Sequence, residues 1–251
     1  IRGKLVTGVQ TCALPICFFD VRDFFCSAVP LVMYLRFAFP EALAPAAGNS
    51  ACLIVDDPPL KPRYGSFDYQ QVLELTKGHN FTCTVAFIPW NWRRSQPAIA
   101  ALVKAHPDRL SLCVHGCDHA ANEFAGTNTG FLNARTKLAL QRMDQHQRLT
   151  GIPHEPVMVF PQGAFSLEAA AVLKHNGFLG AVSTEASPLK APVRTEIGET
   201  WNTAIVKYAD FAIFTRHHPA HGLCNFAFDL LLGKPLLVVT HSVDFHLEAR
   251  E

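Results

Sequence analysis

Three short segments of the chain hold residue types suited to metal-assisted hydrolysis: Asp56-Asp57 in LIVDDPP, His115 and His119 in HGCDH, and His241 in VVTH. Neutral imidazole nitrogens with one carboxylate oxygen make a three-ligand set for a divalent ion such as Zn²⁺, with a position left for water. His115 and His119 are four residues apart, so one tight turn starting at His115 brings both rings to one side. Alone, that spacing also describes two histidines bonded to backbone in a polar loop, with Asp118 as a turn residue. Aspartates before Pro58-Pro59 likewise often close a strand into a turn. Two adjacent carboxylates after a run of apolar residues repel each other at a partly buried rim, however, and a bound cation removes that penalty. One can then ligate the ion while its neighbour serves as a base. His241 by itself reads as structural; opposite an aspartate base it is placed to protonate a leaving group.

These residues need a scaffold that brings distant segments to one place, and the chain alternates strand and helix patterns. Apolar runs predict strands over Ala51–Val55, Thr82–Ile88, Leu110–Val114, Val157–Phe160, Phe178–Ser183, Ala212–Phe214 and Leu236–Thr240. Helical patterns lie between them, over Phe67–His79, Gln96–Ala105, Gly130–Leu149, Ser166–Asn176 and Asn225–Leu232. Right-handed strand–helix units of this number predict an α/β fold, a distorted or incomplete (β/α) barrel with about seven parallel strands. In such folds the loops at the carboxyl ends of the strands share one rim. Asp56-Asp57, Trp90, His115, Pro161-Gln162, Thr184-Glu185, Arg216 and His241 follow successive strands, so that rim receives most of the useful chemistry.

Composition narrows the class. The 251 residues are 49% hydrophobic and 17% charged, as in a globular protein, and a net charge of +1, with no basic stripe or acidic tail in the sequence, gives no expectation of a nucleic-acid partner. Residues 6–16 (VTGVQTCALPI) read as a translated sequencing adapter, so 1–16 are set aside as a non-native scar, with the native N-terminus expected to be missing. Residues 17–50 are expected to be a helical extension and 51–251 one barrel domain, possibly truncated at its end. Without Cys12, seven of the eight cysteines remain, with no CxxC pair, which favours free thiols and a cytoplasmic setting. Phe24–Phe39 is apolar but too short to span a membrane. It reads as a helix covering the end of the core, with a membrane-surface helix as the alternative.

The motifs resemble those of the polysaccharide deacetylase family, the chitin-oligosaccharide deacetylase-like, metal-dependent carbohydrate esterases, over about Cys52 to His241. LIVDDPP resembles the family's strand ending in Asp-Asp, which makes Asp56 the catalytic base and Asp57 a metal ligand. HGCDH resembles its His-Ser/Thr-x-x-His motif, giving His115 and His119 as the other ligands. VFPQG resembles the motif whose backbone N–H stabilises an oxyanion, at Gln162, and VVTH places the general acid at His241. The resemblance implies one divalent metal, Zn²⁺ or a similar ion, and a carbohydrate substrate losing an N- or O-linked acetyl group.

The chain departs from the family pattern at Gly116, where a hydroxyl residue is usual, and at Val159, where an Arg orients the base. The Asp-x-x-Asp-Trp motif has only Thr184-Glu185 and Trp201 as loose counterparts. Arg216, Trp90 and Gln162 are the expected substrate-side residues, and Arg216 is also a source for the missing positive charge; Trp92 and Tyr64 are further stacking candidates. Two alternatives stand: a catalytically degenerate metal- or sugar-binding barrel, and a related metal hydrolase acting on a glycoside or amide. RHHPAH (His217, His218, His221) reads as a polar loop or, less simply, as a second metal site.

Overall fold

Continuous apolar runs become the strands of one sheet because each strand is covered on both faces. The computed structural model describes residues 21–40, 50–184, 206–208, 210–242 and 244–245. In chain order these form α1 (Val21–Ala38), β1 (Ala51–Asp56), β2 (Arg63–Tyr64), β3 (Phe67–Asp68), α2 (Tyr69–His79), β4 (Thr82–Phe87), α3 (Pro97–Ala105), β5 (Leu110–His115) and α4 (Thr129–Thr150). There follow β6 (Glu155–Val159), α5 (Leu167–His175), β7 (Gly180–Ser183), β8 (Val206–Tyr208), β9 (Phe211–Thr215), α6 (Cys224–Leu232) and β10 (Leu236–His241).

The main sheet has the order β10-β1-β4-β5-β6-β7-β9-β8, with seven parallel strands and β8 antiparallel on β9. It curls into a partial barrel. Just past β9, the His217 N–H donates to the Leu237 carbonyl (2.9 Å) and the Val239 N–H donates to the His217 carbonyl (3.0 Å). That single parallel rung, His217 with Val238, joins the two ends of the parallel array.

Alternation along each strand separates two apolar layers. Val55, Val85, Leu112, Val114 and Met158 face the helices and form the large core with Val72, Leu132, Met143 and Leu173. Ile54, Ala86, Cys113, Val159 and Val182 face the barrel interior. Below them Thr84 Oγ1 meets Cys52 Sγ (3.3 Å) and Ser111 Oγ (2.9 Å). Cys52, Ile54 and Asp56 therefore lie on one face of β1, and the same two-residue period carries His115 above Cys113 on β5.

The helices begin where small polar residues can accept from their first N–H groups. Asp68 caps α2 by accepting from the Gln70 and Gln71 N–H groups, Asn128 caps α4 through Phe131, and Ser166 caps α5 through Ala169. Gly151, at φ +73°, ends α4 in the left-handed region. The expected helix start at Phe67 moves to Tyr69, because Phe67 and Asp68 pair with Tyr64 and Arg63 in a two-residue hairpin. Helix α1 runs through Pro30 and packs its Val29 and Val32 against Phe228, Leu231 and Leu232 of α6. It thus covers a helix rather than the end of the barrel core. No described helix is long and apolar enough to cross a membrane. All six cysteines described are free thiols.

Helix α4 is held to the barrel partly through His146, whose ring lies 4.8 Å from that of Phe87 and 2.7 Å from Ser95 Oγ. Burial, with a smaller contribution from His154, pushes the His146 imidazole down to about 4. In the unfolded chain it titrates near ~6.5. The unfolded chain thus takes up the proton first as pH falls, so this contribution is complete above pH ~6.5 and is lost between there and about 4. Urea unfolding should show a stability loss on the order of 3 kcal/mol across that window that His146→Gln lacks. Identical pH slopes for parent and variant would contradict a buried neutral histidine.

Candidate metal and proton-transfer site

At the carboxyl end of β1 the chain turns sharply: Asp56 remains in the strand and Asp57 adopts φ +76°. The Asp57 N–H still donates to the Ala86 carbonyl (3.3 Å), which anchors the turn to β4. This geometry sends the two carboxylates to different partners.

Asp57 Oδ1 lies 3.4 Å from His115 Nε2 and 3.4 Å from His119 Nε2. His115 is the last residue of β5, buried, and its Nδ1 is 2.9 Å from the Val159 carbonyl. A carbonyl only accepts, so Nδ1 carries the proton and Nε2 presents a lone pair to Asp57. The chain then enters the left-handed region at His119 (φ +59°), which sets its ring 4.8 Å from that of His115. The three ligand atoms lie within 4.8 Å of one another. Asp57 Oδ1 is buried with no hydrogen-bond partner among the described residues. A carboxylate oxygen and an imidazole lone pair so close repel unless a positive charge lies between them, so this donor set fits a divalent cation. Burial alone would raise the Asp57 carboxyl; the nearby imidazoles, His115 first and then His119 and His241, outweigh burial when protonated and hold it below the ordinary value.

Asp56 points into the barrel interior and meets Arg216, which follows β9. Nη1 lies 2.5 Å from Asp56 Oδ1 and Nη2 lies 2.6 Å from Oδ2, and both side chains are buried. Arg216 is fixed by its own N–H donating to the Ser183 carbonyl (3.1 Å). It therefore sits beneath the rim on Asp56, in the expected place of the missing positive charge, and not on the substrate side, which was the other expectation. The position of the family's Arg is taken by Val159, whose side chain fills the inner apolar layer. Asp56 Oδ2 is also 3.8 Å from His115 Nε2 and 3.9 Å from His241 Nε2. His241 is in register with Asp56 across the β1–β10 pair and is half-exposed.

Two carboxylates that the sequence reading did not single out hold this site together. Asp244 Oδ2 accepts from the His241 N–H (2.7 Å) and Thr240 Oγ1 (2.9 Å), pairs with His218 Nε2 (3.1 Å), and lies 3.9 Å from His241 Nδ1. Burial raises its carboxyl, but those hydrogen bonds and the charge of His218 outweigh burial and hold it below the usual range. The available signal was a carboxylate three residues beyond a strand-end histidine. The second is Glu123, buried, which accepts from the Cys117 N–H (2.9 Å) and Asp118 N–H (3.0 Å). It accounts for Gly116: at φ +64°, a Cβ there would lie 2.6 Å from Glu123 Oε2 and 2.6 Å from Pro161 Cγ. Asp118 is paired with Arg135 and Arg142 of α4. Cys117, Asp118 and Glu123 are clustered, but their acceptors are occupied by N–H groups and guanidiniums. Burial, then Asp118, pushes the Cys117 thiol up to about 11.

Gln162, at φ +57°, is the middle residue of the Pro161–Gly163 turn after β6, and its Oε1 accepts from the Asn122 N–H (3.3 Å). Trp90 is 54% exposed, donates its backbone N–H to the Cys117 carbonyl (3.1 Å), and has the Arg142 guanidinium 5.1 Å from its ring. Tyr64 is exposed on the β2–β3 hairpin and Trp92 is half-buried. Glu185 and Trp201 lie outside the described residues. His217 pairs with Asp229 (3.2 Å) and His218 with Asp244, so these two form no metal-ligand group among the described residues; the side chain of His221 lies outside them.

No protein-family model matches the chain, and no curated protein does. Solved structures do show likeness. A family 4 carbohydrate esterase from Streptomyces lividans is 14% identical, with 79% of this chain and 81% of that one covered and a TM-score of 0.44. A Streptococcus mutans CE4 esterase is 13% identical, with 84% and 91% covered and a TM-score of 0.42. A CE4 family pseudoenzyme from Bacillus anthracis is 10% identical, with 82% and 59% covered and a TM-score of 0.47.

Removing one member of a buried ion pair leaves the other uncompensated. Arg216→Met should therefore destabilise the fold by about 3–5 kcal/mol, and the double variant Asp56→Asn/Arg216→Met should recover most of that loss. Chemical denaturation of the three proteins checks this; additive losses in the double variant would show that the pair is not coupled.

Proposed function

We propose that the protein is a metal-dependent hydrolase that removes an N- or O-linked acetyl group from a carbohydrate. One observation carries the reading: a carboxylate fixed by a buried guanidinium, three convergent metal-type donors and a half-exposed histidine share one rim. The motif resemblance of these same positions to polysaccharide deacetylases supports the substrate class.

A divalent ion held by Asp57, His115 and His119 would polarise an acyl carbonyl and acidify a water. Asp56, oriented by both Nη atoms of Arg216, takes the proton of the attacking water. The backbone N–H of Gln162, in the turn after β6, is the donor to the developing oxyanion. His241 then donates a proton to the departing amine or alcohol. Asp244, 3.9 Å from Nδ1 and bonded to the His241 N–H, keeps that ring aimed across the site. Mere binding of a metal or sugar needs neither a charge-paired base nor a facing histidine, which favours hydrolysis over a non-catalytic barrel.

The division of labour between the two aspartates is testable. Asp56→Asn should keep its bound metal and lose acetate release by at least about a hundredfold, the order contributed by one acid–base group. Asp57→Ala should instead lose the metal. Full turnover in Asp56→Asn, measured as acetate released from acetylated oligosaccharides, would remove Asp56 from the role of base.

A further inference from the structure

The rim beside the proposed metal ligands continues into a surface with its own chemistry. The Trp90 N–H is bonded to the Cys117 carbonyl, and the Gln96 N–H donates to the Leu60 carbonyl (2.7 Å). The loops after β1, β4 and β5 are thus fastened side by side, with Trp90 and Trp92 on the β4 loop beside the β5 loop that carries His119.

That surface is cationic. Lys61, Arg93, Arg94 and Lys104 are exposed, and no carboxylate among the described residues pairs with any of them. Not one aspartate or glutamate occurs between Leu75 and Pro107. Arg93, Arg94 and Lys104 therefore have no acidic neighbour within that stretch of sequence to offset them. An aromatic ring lies among these cations: the Arg93 guanidinium is 4.2 Å from the Trp92 ring centroid, while Arg142, paired with Asp118, lies 5.1 Å from that of Trp90. The stripe ends in a cavity of about 260 Å³ lined by Trp92, Arg93, Ser95 and Lys104. That is below the ~300–1,000 Å³ of pockets that enclose a drug-sized ligand, so it suits one ring or one acidic substituent.

We infer that the saccharide taken by this site is anionic, and that the stripe of Trp90, Trp92, Arg93, Arg94 and Lys104 recognises its acidic groups. This rests on the hydrolase reading only for what happens at the metal. Guanidinium and ammonium groups supply charge-assisted hydrogen bonds to carboxylate oxygens, and the indole faces stack on the sugar rings between them. The exposed cations also raise the local concentration of a polyanionic chain at the rim, an effect that weakens with salt.

The test is binding by the full chain, which needs no turnover. O-acetylated polygalacturonate oligomers, neutral N-acetylchitopentaose and oligothymidylate are titrated into the parent and into Arg93→Gln/Arg94→Gln/Lys104→Gln. At low salt the parent should bind the acidic sugar about tenfold more tightly than the neutral one. Higher salt and the triple variant should each abolish that preference, with metal content and melting temperature unchanged. Equal affinity for the two sugars, an unaffected triple variant, or tighter binding of oligothymidylate than of polygalacturonate would each overturn the inference. Failure to release acetate from any of these sugars would count against the hydrolase reading alone, since the binding preference is read separately.

Discussion

The buried pair between Asp56 and Arg216 is the constraint around which the rest of the molecule is arranged. Removing two such charges from water costs several kcal/mol each, and only close bidentate contact inside a low-dielectric interior offsets it. The partners lie 160 residues apart, and β9, which Arg216 follows, is separated from β1 by four strands in the sheet. A flat sheet could not bring them together; the curl of the barrel does. The next residue, His217, makes the single rung to β10, so the contact that orders Asp56 and the contact that joins the barrel's ends are adjacent in the chain.

From that anchor the two neighbouring aspartates acquire opposite surroundings. Asp56 has a permanent cation at both oxygens, whereas Asp57 faces imidazole nitrogens and has a buried oxygen without a donor. The separation depends on backbone in the left-handed region at Asp57, Gly116, His119 and Gln162. For residues other than glycine such conformations are unfavourable and persist when their surroundings over-determine them. Glu123 does this for the loop between the histidines, with Arg135 and Arg142 bracing it through Asp118 from α4; at the end of β10, Asp244 fixes His241 by accepting from its N–H.

Much of this was legible in the sequence because strand ends are where apolar runs stop. The seven parallel strands follow from such runs, and Asp56, His115 and His241 were recognisable as their last or next residues. The caps of α4 and α5 were readable in the same way, from Gly151 and Ser166. Partners were harder. Arg216 was named as a source for the charge missing at Val159, but its contact with Asp56 depends on the sheet's curvature. Glu123 and Asp244 lie close in sequence to the histidines they support, but a single carboxylate in a loop has no period to reveal it. The two-residue hairpin of β2 and β3 and the three-residue β8 are too short for alternation to register. The apolar pattern of α1 was clear, but its packing on α6 depends on which face meets Phe228.

Metal stoichiometry tests the centre of this account most directly. The full chain, reconstituted with Zn²⁺ and freed of excess ion, is assayed by elemental analysis beside the folded His115→Ala/His119→Ala variant. About one equivalent is expected in the parent, as for a three-ligand site, and none in the variant. A well-folded parent that retains no more metal than the variant would contradict the assignment of Asp57, His115 and His119, and with it the hydrolytic role of the rim.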